Sequence, residues 1–215
     1  MIISHKLKYV YIGIPRTGSK SVHGWLAENY QGEWHGMHEW QVPTECKDYL
    51  VFTVVRNPYD REASSTFAVL WNGEKPDPSK LVPSPTPSPS GVPLGERIRE
   101  AKLRGNGALL TEECSVPEVG MNQSQFIKKA GVSLVLYHER LPECLRDLPF
   151  VHEAELPAMP LALEKGVRPP GTFFDHFTDE DEQVVWAYAS EDFEMLGYHR
   201  YSSALPDNSP NSLRI

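Results

Sequence analysis

Leu50-Val51-Phe52-Thr53-Val54-Val55, followed directly by Arg56-Asn57-Pro58-Tyr59-Asp60-Arg61, is the stretch that decides how this 215-residue chain folds. Six consecutive apolar or β-branched residues without polar alternation mark a strand buried on both faces. The strand then ends in a charged turn. Proline is tolerated in a first helical turn, so Pro58 permits a helix from near Tyr59 through Trp71, with Ala63, Phe67 and Leu70 on one face.

The same alternation extends in both directions. Upstream, KYVYIGI (8–14) is a short apolar run broken by Pro15 and Gly18, and a helix is predicted over 19–30. Downstream, a helix over 122–130 leads into SLVLY (133–137), a third buried strand, and then a short helix over 141–148. The last helix is the clearest: Thr178 and Asp181 form a capping-box pattern, Val184, Val185, Tyr188, Phe193 and Leu196 supply apolar positions, and Gly197 ends it. Strands alternating with helices predict an α/β fold with a central parallel sheet flanked by helices. Ligands in such folds bind beyond the carboxyl ends of the strands, which points to the residues after Ile14, Val55 and Tyr137.

Composition sets the outer limits. A length of 215 residues fits one domain, and 40% hydrophobic residues suffice for a core, which excludes a disordered or fibrous chain. With 21 Lys+Arg against 29 Asp+Glu the formal charge is −8, so no nucleic-acid or anionic-membrane partner is expected through the overall field. Three scattered cysteines, Cys46, Cys114 and Cys144, form no CxxC pair and no even framework, as in a reducing compartment. No apolar run approaches the ~20 residues of a membrane span, and the first residues lack a signal-peptide cleavage pattern. A cytoplasmic protein is the expectation. Seven of the nineteen prolines lie in KPDPSKLVPSPTPSPSGVPLG (75–95), read as a flexible insertion into a single domain spanning 1–215.

Two strand ends carry the chemistry. After Ile14, Pro15-Arg16-Thr17-Gly18-Ser19-Lys20-Ser21 brings helix-terminal amides, two cations and three hydroxyls together, as an anion site requires. The interval from Gly13 to Gly18 matches the phosphate-cradling GxxxxGK[ST] pattern, but Lys20 falls one residue late, about a quarter turn around the helix. A glycine turn with incidental cations is the plain alternative. After Val55, the strand ends in Arg56 rather than in the acidic residue that would hold magnesium for a nucleoside triphosphate. A guanidinium fork suits direct recognition of a second phosphate, with no metal required.

These two motifs resemble those of the sulfotransferases that use 3′-phosphoadenylyl sulfate (PAPS). IPRTGSKSV (14–22) is similar to the loop that holds the 5′-phosphosulfate, and VVRNPYDREASSTF (54–67) is very close to the family's 3′-phosphate motif. Weaker echoes are NQSQF (122–126), LVLYHERL (134–141) and YASEDFEMLGY (188–198), while the proline-rich insertion has no counterpart. The resemblance, strongest to small carbohydrate-type or bacterial and viral members, implies a P-loop NTPase-like three-layer fold. It places Arg16 at the charge developing on the leaving phosphate, Arg16, Thr17, Gly18, Ser19, Lys20 and Ser21 around the 5′-phosphate, and Arg56 with Ser64 on the 3′-phosphate. Ser19 and Lys20 depart from the usual residues.

Sulfuryl transfer to a hydroxyl benefits from a base, and the family often supplies a histidine or glutamate between the two motifs. WHGMHEW (34–40) offers His35 and His38 beside Glu33 and Glu39; His38 fits the family pattern best, and imidazole titrates near neutrality. Both histidines as plain loop residues is the other reading. His23 is expected on a helix surface. Trp34, Trp40 and Trp71 flank the site in sequence and have faces suited to stacking on adenine or a sugar ring, with core packing the favoured reading for Trp71. Lys165 and Arg168 are read as a solvated loop rather than as a basic loop closing over the nucleotide. The expected activity is therefore sulfuryl transfer from PAPS to a hydroxyl of a small molecule or glycan, without metal. A P-loop kinase or a non-catalytic nucleotide-binding module on the same fold are the alternatives.

Overall fold

The structure, a computed structural model, describes residues 1–70, 121–152, 156–159, 172–175, 177–205 and 211–215, with the backbone alone for 65–70 and 180. The proline-rich stretch 75–95, the stretch 96–120, Trp71, Cys114, Lys165 and Arg168 lie outside the described residues. The chain divides into two compact units, Met1–Arg56 with Gln123–Glu164 and Asp207–Ile215, and Asn57–Asn122 with Lys165–Pro206.

The first unit is mixed α/β. Its strands are β1 (Ile2–Ser4), β2 (Tyr9–Ile12), β3 (Glu33–Trp34), β4 (Leu50–Val55), β5 (Leu134–Tyr137) and β6 (Ser212–Arg214), in the spatial order β3-β1-β2-β4-β5-β6. β2, β4 and β5 run parallel, with Tyr11 opposite Phe52 and Val54 opposite Leu136. The remaining pairings, β1 with β2, β3 with β1 and β6 with β5, are antiparallel, so the sheet is not wholly parallel as the alternation predicted. The reason is local for β1: four residues separate it from β2, with Lys8 at φ 53°, and so short a link can only turn a strand back on itself.

Helix α1 (Ser19–Asn29) connects β2 toward β4, and α3 (Gln123–Ala130) precedes β5. Tyr9 and Tyr11, Phe52 and Val54, and Leu134 and Leu136 share one sheet face and join Val22, Trp25 and Leu26 of α1 in a single buried cluster. Trp25 also donates its indole N–H to the Pro157 carbonyl at 3.0 Å. On the other face Val10, Ile12, Val51, Val55 and Val135 are buried too, so β4 is covered on both sides as its composition requires. The short helix expected at 141–148 is a pair of 3-10 turns, His138–Arg140 and Glu143–Asp147.

The second unit contains α2 (Pro58–Leu70) and α4 (Asp179–Leu196). Asn57 caps α2 by accepting from the Tyr59 amide at 3.0 Å, with Pro58 in the first turn. Tyr59 is fully buried between Phe173 and Phe193. Its hydroxyl donates to Glu182, which also accepts two bonds from Arg200 at 2.9 Å. The capping box of α4 is present, with Asp181 N–H donating to Thr178 Oγ1 at 3.3 Å and Thr178 N–H to Asp181 Oδ2 at 3.0 Å. Gly197 ends α4 at φ 71°. Thr178→Ala is expected to lower stability by about 1 kcal/mol, read as a reduced urea midpoint at unchanged m.

Candidate functional site

The carboxyl ends of the three parallel strands gather one loop and two side chains in the first unit. β2 ends at Ile12, and Gly13, Ile14 and Pro15 continue it as buried loop. The loop closes with Arg16 at φ 68° and Gly18 at φ 79°. A left-handed backbone strains a non-glycine residue, and such strain concentrates at functional sites. Thr17 turns its hydroxyl inward, donating to the Ile14 carbonyl at 2.9 Å. Ser19 is buried, Ser21 half-buried and Lys20 exposed.

Gly18 is the N-cap of α1. It gives the helix no side-chain cap, and no acidic residue occupies the first turn. The Ser21 N–H turns back to the Gly18 carbonyl at 3.0 Å, while the Ser19 and Lys20 amides precede any intrahelical acceptor, so this terminus is electropositive without a built-in anion to satisfy it. Arg56 extends from the end of β4 toward the same loop, its Nη1 donating to the Arg16 carbonyl at 3.4 Å. The Arg56 backbone is held at both poles by the buried side chain of Gln123: the Arg56 N–H donates to Oε1 and Nε2 donates to the Arg56 carbonyl, each at 2.8 Å. Ser64 lies half-buried on α2, in the second unit.

His38 comes to this loop from the irregular segment after β3. Its backbone is left-handed, φ 60°, and its Nδ1 lies 2.6 Å from the Gly13 carbonyl. A carbonyl only accepts, so Nδ1 carries the proton and Nε2 keeps its lone pair in the neutral ring. His35 is exposed and uses its backbone N–H on the Met1 carbonyl. Glu33 is exposed, and the Glu39 carboxyl folds over Gly36. Of the four candidates for a base, His38 is the one hydrogen-bonded to the loop. Trp34 is 55% exposed, whereas one face of Trp40 is covered by the Lys129 ammonium, 5.1 Å from the ring centre.

Two histidines differ from expectation. His23, expected on a helix surface, is only 3% exposed. It lies on the stripe of Ser19, Val22 and Leu26, the i, i+3, i+4, i+7 spacing that faces a core. The ring meets Tyr11 and Trp34 edge-on and packs against Gly13, where any Cβ would come within 2.8 Å of it. Neither ring nitrogen has a hydrogen-bond partner among the described residues. Burial above all, with the Met1 ammonium and His38, pushes its pKa down to about 3, so the ring is neutral.

His138, which lies within the LVLYHERL stretch but was assigned no role from sequence, follows β5 directly and brings its ring against the loop at Gly18. A Cβ on Gly18 would stand 3.2 Å from His138 Cδ2. Its signal in the sequence was position: it follows a buried strand at the same sheet edge as Arg56. Gly18 therefore has two constraints, a left-handed backbone and this ring. Gly18→Ala is expected to destabilise the fold by about 1–2 kcal/mol, seen as a lower Tm.

Among the described residues no group of three or more His, Cys, Asp or Glu side chains could hold a metal ion. None of the described helices is long and apolar enough to cross a membrane. No protein-family model, curated protein or solved structure matches the chain.

Proposed function

We propose that the chain is a sulfotransferase that moves the sulfuryl group of PAPS to a hydroxyl of a small molecule or glycan. The observation that carries this reading is the convergence of an uncapped helix N-terminus at Gly18, the Arg56 guanidinium and a loop-bound imidazole at the end of one parallel strand set. The first-turn amides with Arg16, Ser19, Lys20 and Ser21 hold the 5′-phosphate, and Thr17 braces the loop from inside. Arg56 takes the 3′-phosphate; the assignment of Ser64 to that phosphate rests on the motif. We read β2, β4 and β5 as the core of a P-loop NTPase-like fold. Cys46 and Cys144, free and buried, fit a cytoplasmic setting.

PAPS supplies a sulfuryl group on a stable leaving phosphate. His38 Nε2 takes the acceptor's hydroxyl proton as oxygen bonds to sulfur and the bond from sulfur to the phosphate oxygen breaks. Arg16 offsets the negative charge gained by that phosphate. The Gly13 carbonyl keeps the proton on Nδ1, which makes Nε2 the basic nitrogen of the neutral ring.

Isothermal titration with adenosine 3′,5′-bisphosphate tests the reading without knowledge of the acceptor. Binding in the absence of magnesium is the expected result. No binding would refute the assignment, and a magnesium requirement with ATP turnover would favour a kinase.

A further inference from the structure

We propose that His138 belongs to the anion site and takes up a proton as the nucleotide's phosphate enters, so that nucleotide affinity rises as pH falls. The inference rests on the nucleotide reading above and adds to it a residue and a regulatory input. Its basis is placement. His138 stands at the carboxyl end of β5, half-buried, with its ring against the Gly18 backbone at the open end of α1. Its imidazole makes no hydrogen bond among the described residues.

The charged groups on the surrounding elements are Arg16 in the loop, Lys20 in the first turn of α1, Arg56 at the end of β4, and Glu139 and Arg140 in its own turn. Burial first, and then the Arg56 cation, hold the pKa of His138 down to about 4. The ring is therefore neutral near pH 7 when no anion is present. A phosphate dianion beside it reverses the local field: the cation that disfavoured a second positive charge is now paired, and an imidazolium N–H gains a charged acceptor.

The bound-state pKa lies above the free-state value, so the complex holds more protons than the separated partners between the two. Affinity therefore increases on acidification through the bound-state pKa and levels off below about 4. The limit is tenfold per pH unit, for one proton taken up.

The test is titration calorimetry with adenosine 3′,5′-bisphosphate at about pH 6 and about pH 8, in buffers of different ionisation enthalpy, on the wild-type chain and on His138→Gln. The nucleotide's own phosphates titrate in this range, so the readout is the difference between the two proteins. Wild type is expected to take up a fraction of a proton more than the variant at the lower pH. Its affinity should gain severalfold relative to the variant on the same pH change. The His138 Cε1–H resonance of the wild type, followed by NMR with and without nucleotide, gives the same answer without a substitution; its titration midpoint should move upward on binding. Nucleotide binding with equal proton uptake in the two proteins, or an unmoved midpoint, overturns the role of His138 and leaves the nucleotide site standing. Absence of binding overturns both.

Discussion

Arg56→Ala is expected to weaken adenosine 3′,5′-bisphosphate binding by about two to three orders of magnitude, since removing one partner of a desolvated, hydrogen-bonded charge pair costs about 2–5 kcal/mol. The fold should tolerate the change. The strand end is secured through the Arg56 backbone, which the Gln123 side chain holds at both its N–H and its carbonyl. Arg56→Lys is expected to fall between wild type and alanine, keeping the charge but not the two-pronged donor. Titration calorimetry on folded variants decides the matter: affinity unchanged in Arg56→Ala would remove Arg56 from the site.

His38→Asn is expected to lower kcat by about 10²- to 10⁴-fold while nucleotide affinity stays within a factor of about three, the range attributed to a general base. Asparagine is chosen because it tolerates the left-handed backbone of position 38 and retains an N–H for the Gly13 carbonyl. Loss of turnover then reports the missing basic nitrogen, not a collapsed loop. The assay needs a labelled PAPS donor and whichever hydroxyl acceptor a broad panel reveals. Turnover equal to wild type would reject His38 as the base, and a parallel loss of nucleotide affinity would indicate a purely structural role.

What the sequence disclosed depended on how local its cause was. β4 is found at Leu50–Val55 because an uninterrupted apolar run bounded by Arg56 and Leu50 has one economical conformation in a covered sheet. The Thr178–Asp181 cap and the Gly197 stop are read correctly because both ends of that interaction lie within one helical turn of the chain. β1, β3 and β6 have two or three residues each, too few for any periodicity, and β3 and β6 exist through pairing with strands distant in sequence. The loop of 13–21 and Arg56 stood out because they follow recognisable strands. His38's bond to Gly13 spans 25 residues that include α1 and β3, and no local pattern encodes it. The RNPYDR stretch also has structural duties: Asn57 caps a helix, Tyr59 fills a core, and buried Arg61 donates to the Met121 carbonyl at 3.2 Å.

The Gln123 side chain behaves toward Arg56 as an extra length of strand, offering one acceptor and one donor to the last peptide of β4. The backbone bearing the guanidinium is thus ordered during folding, before any ligand arrives. Association then has only the outer torsions of one side chain left to restrict, so the entropic penalty of forming this half of the site falls on the folding equilibrium. Gln123→Ala should accordingly slow capture and weaken affinity without removing a single ligand-contacting atom, the signature of lost preorganisation rather than lost chemistry.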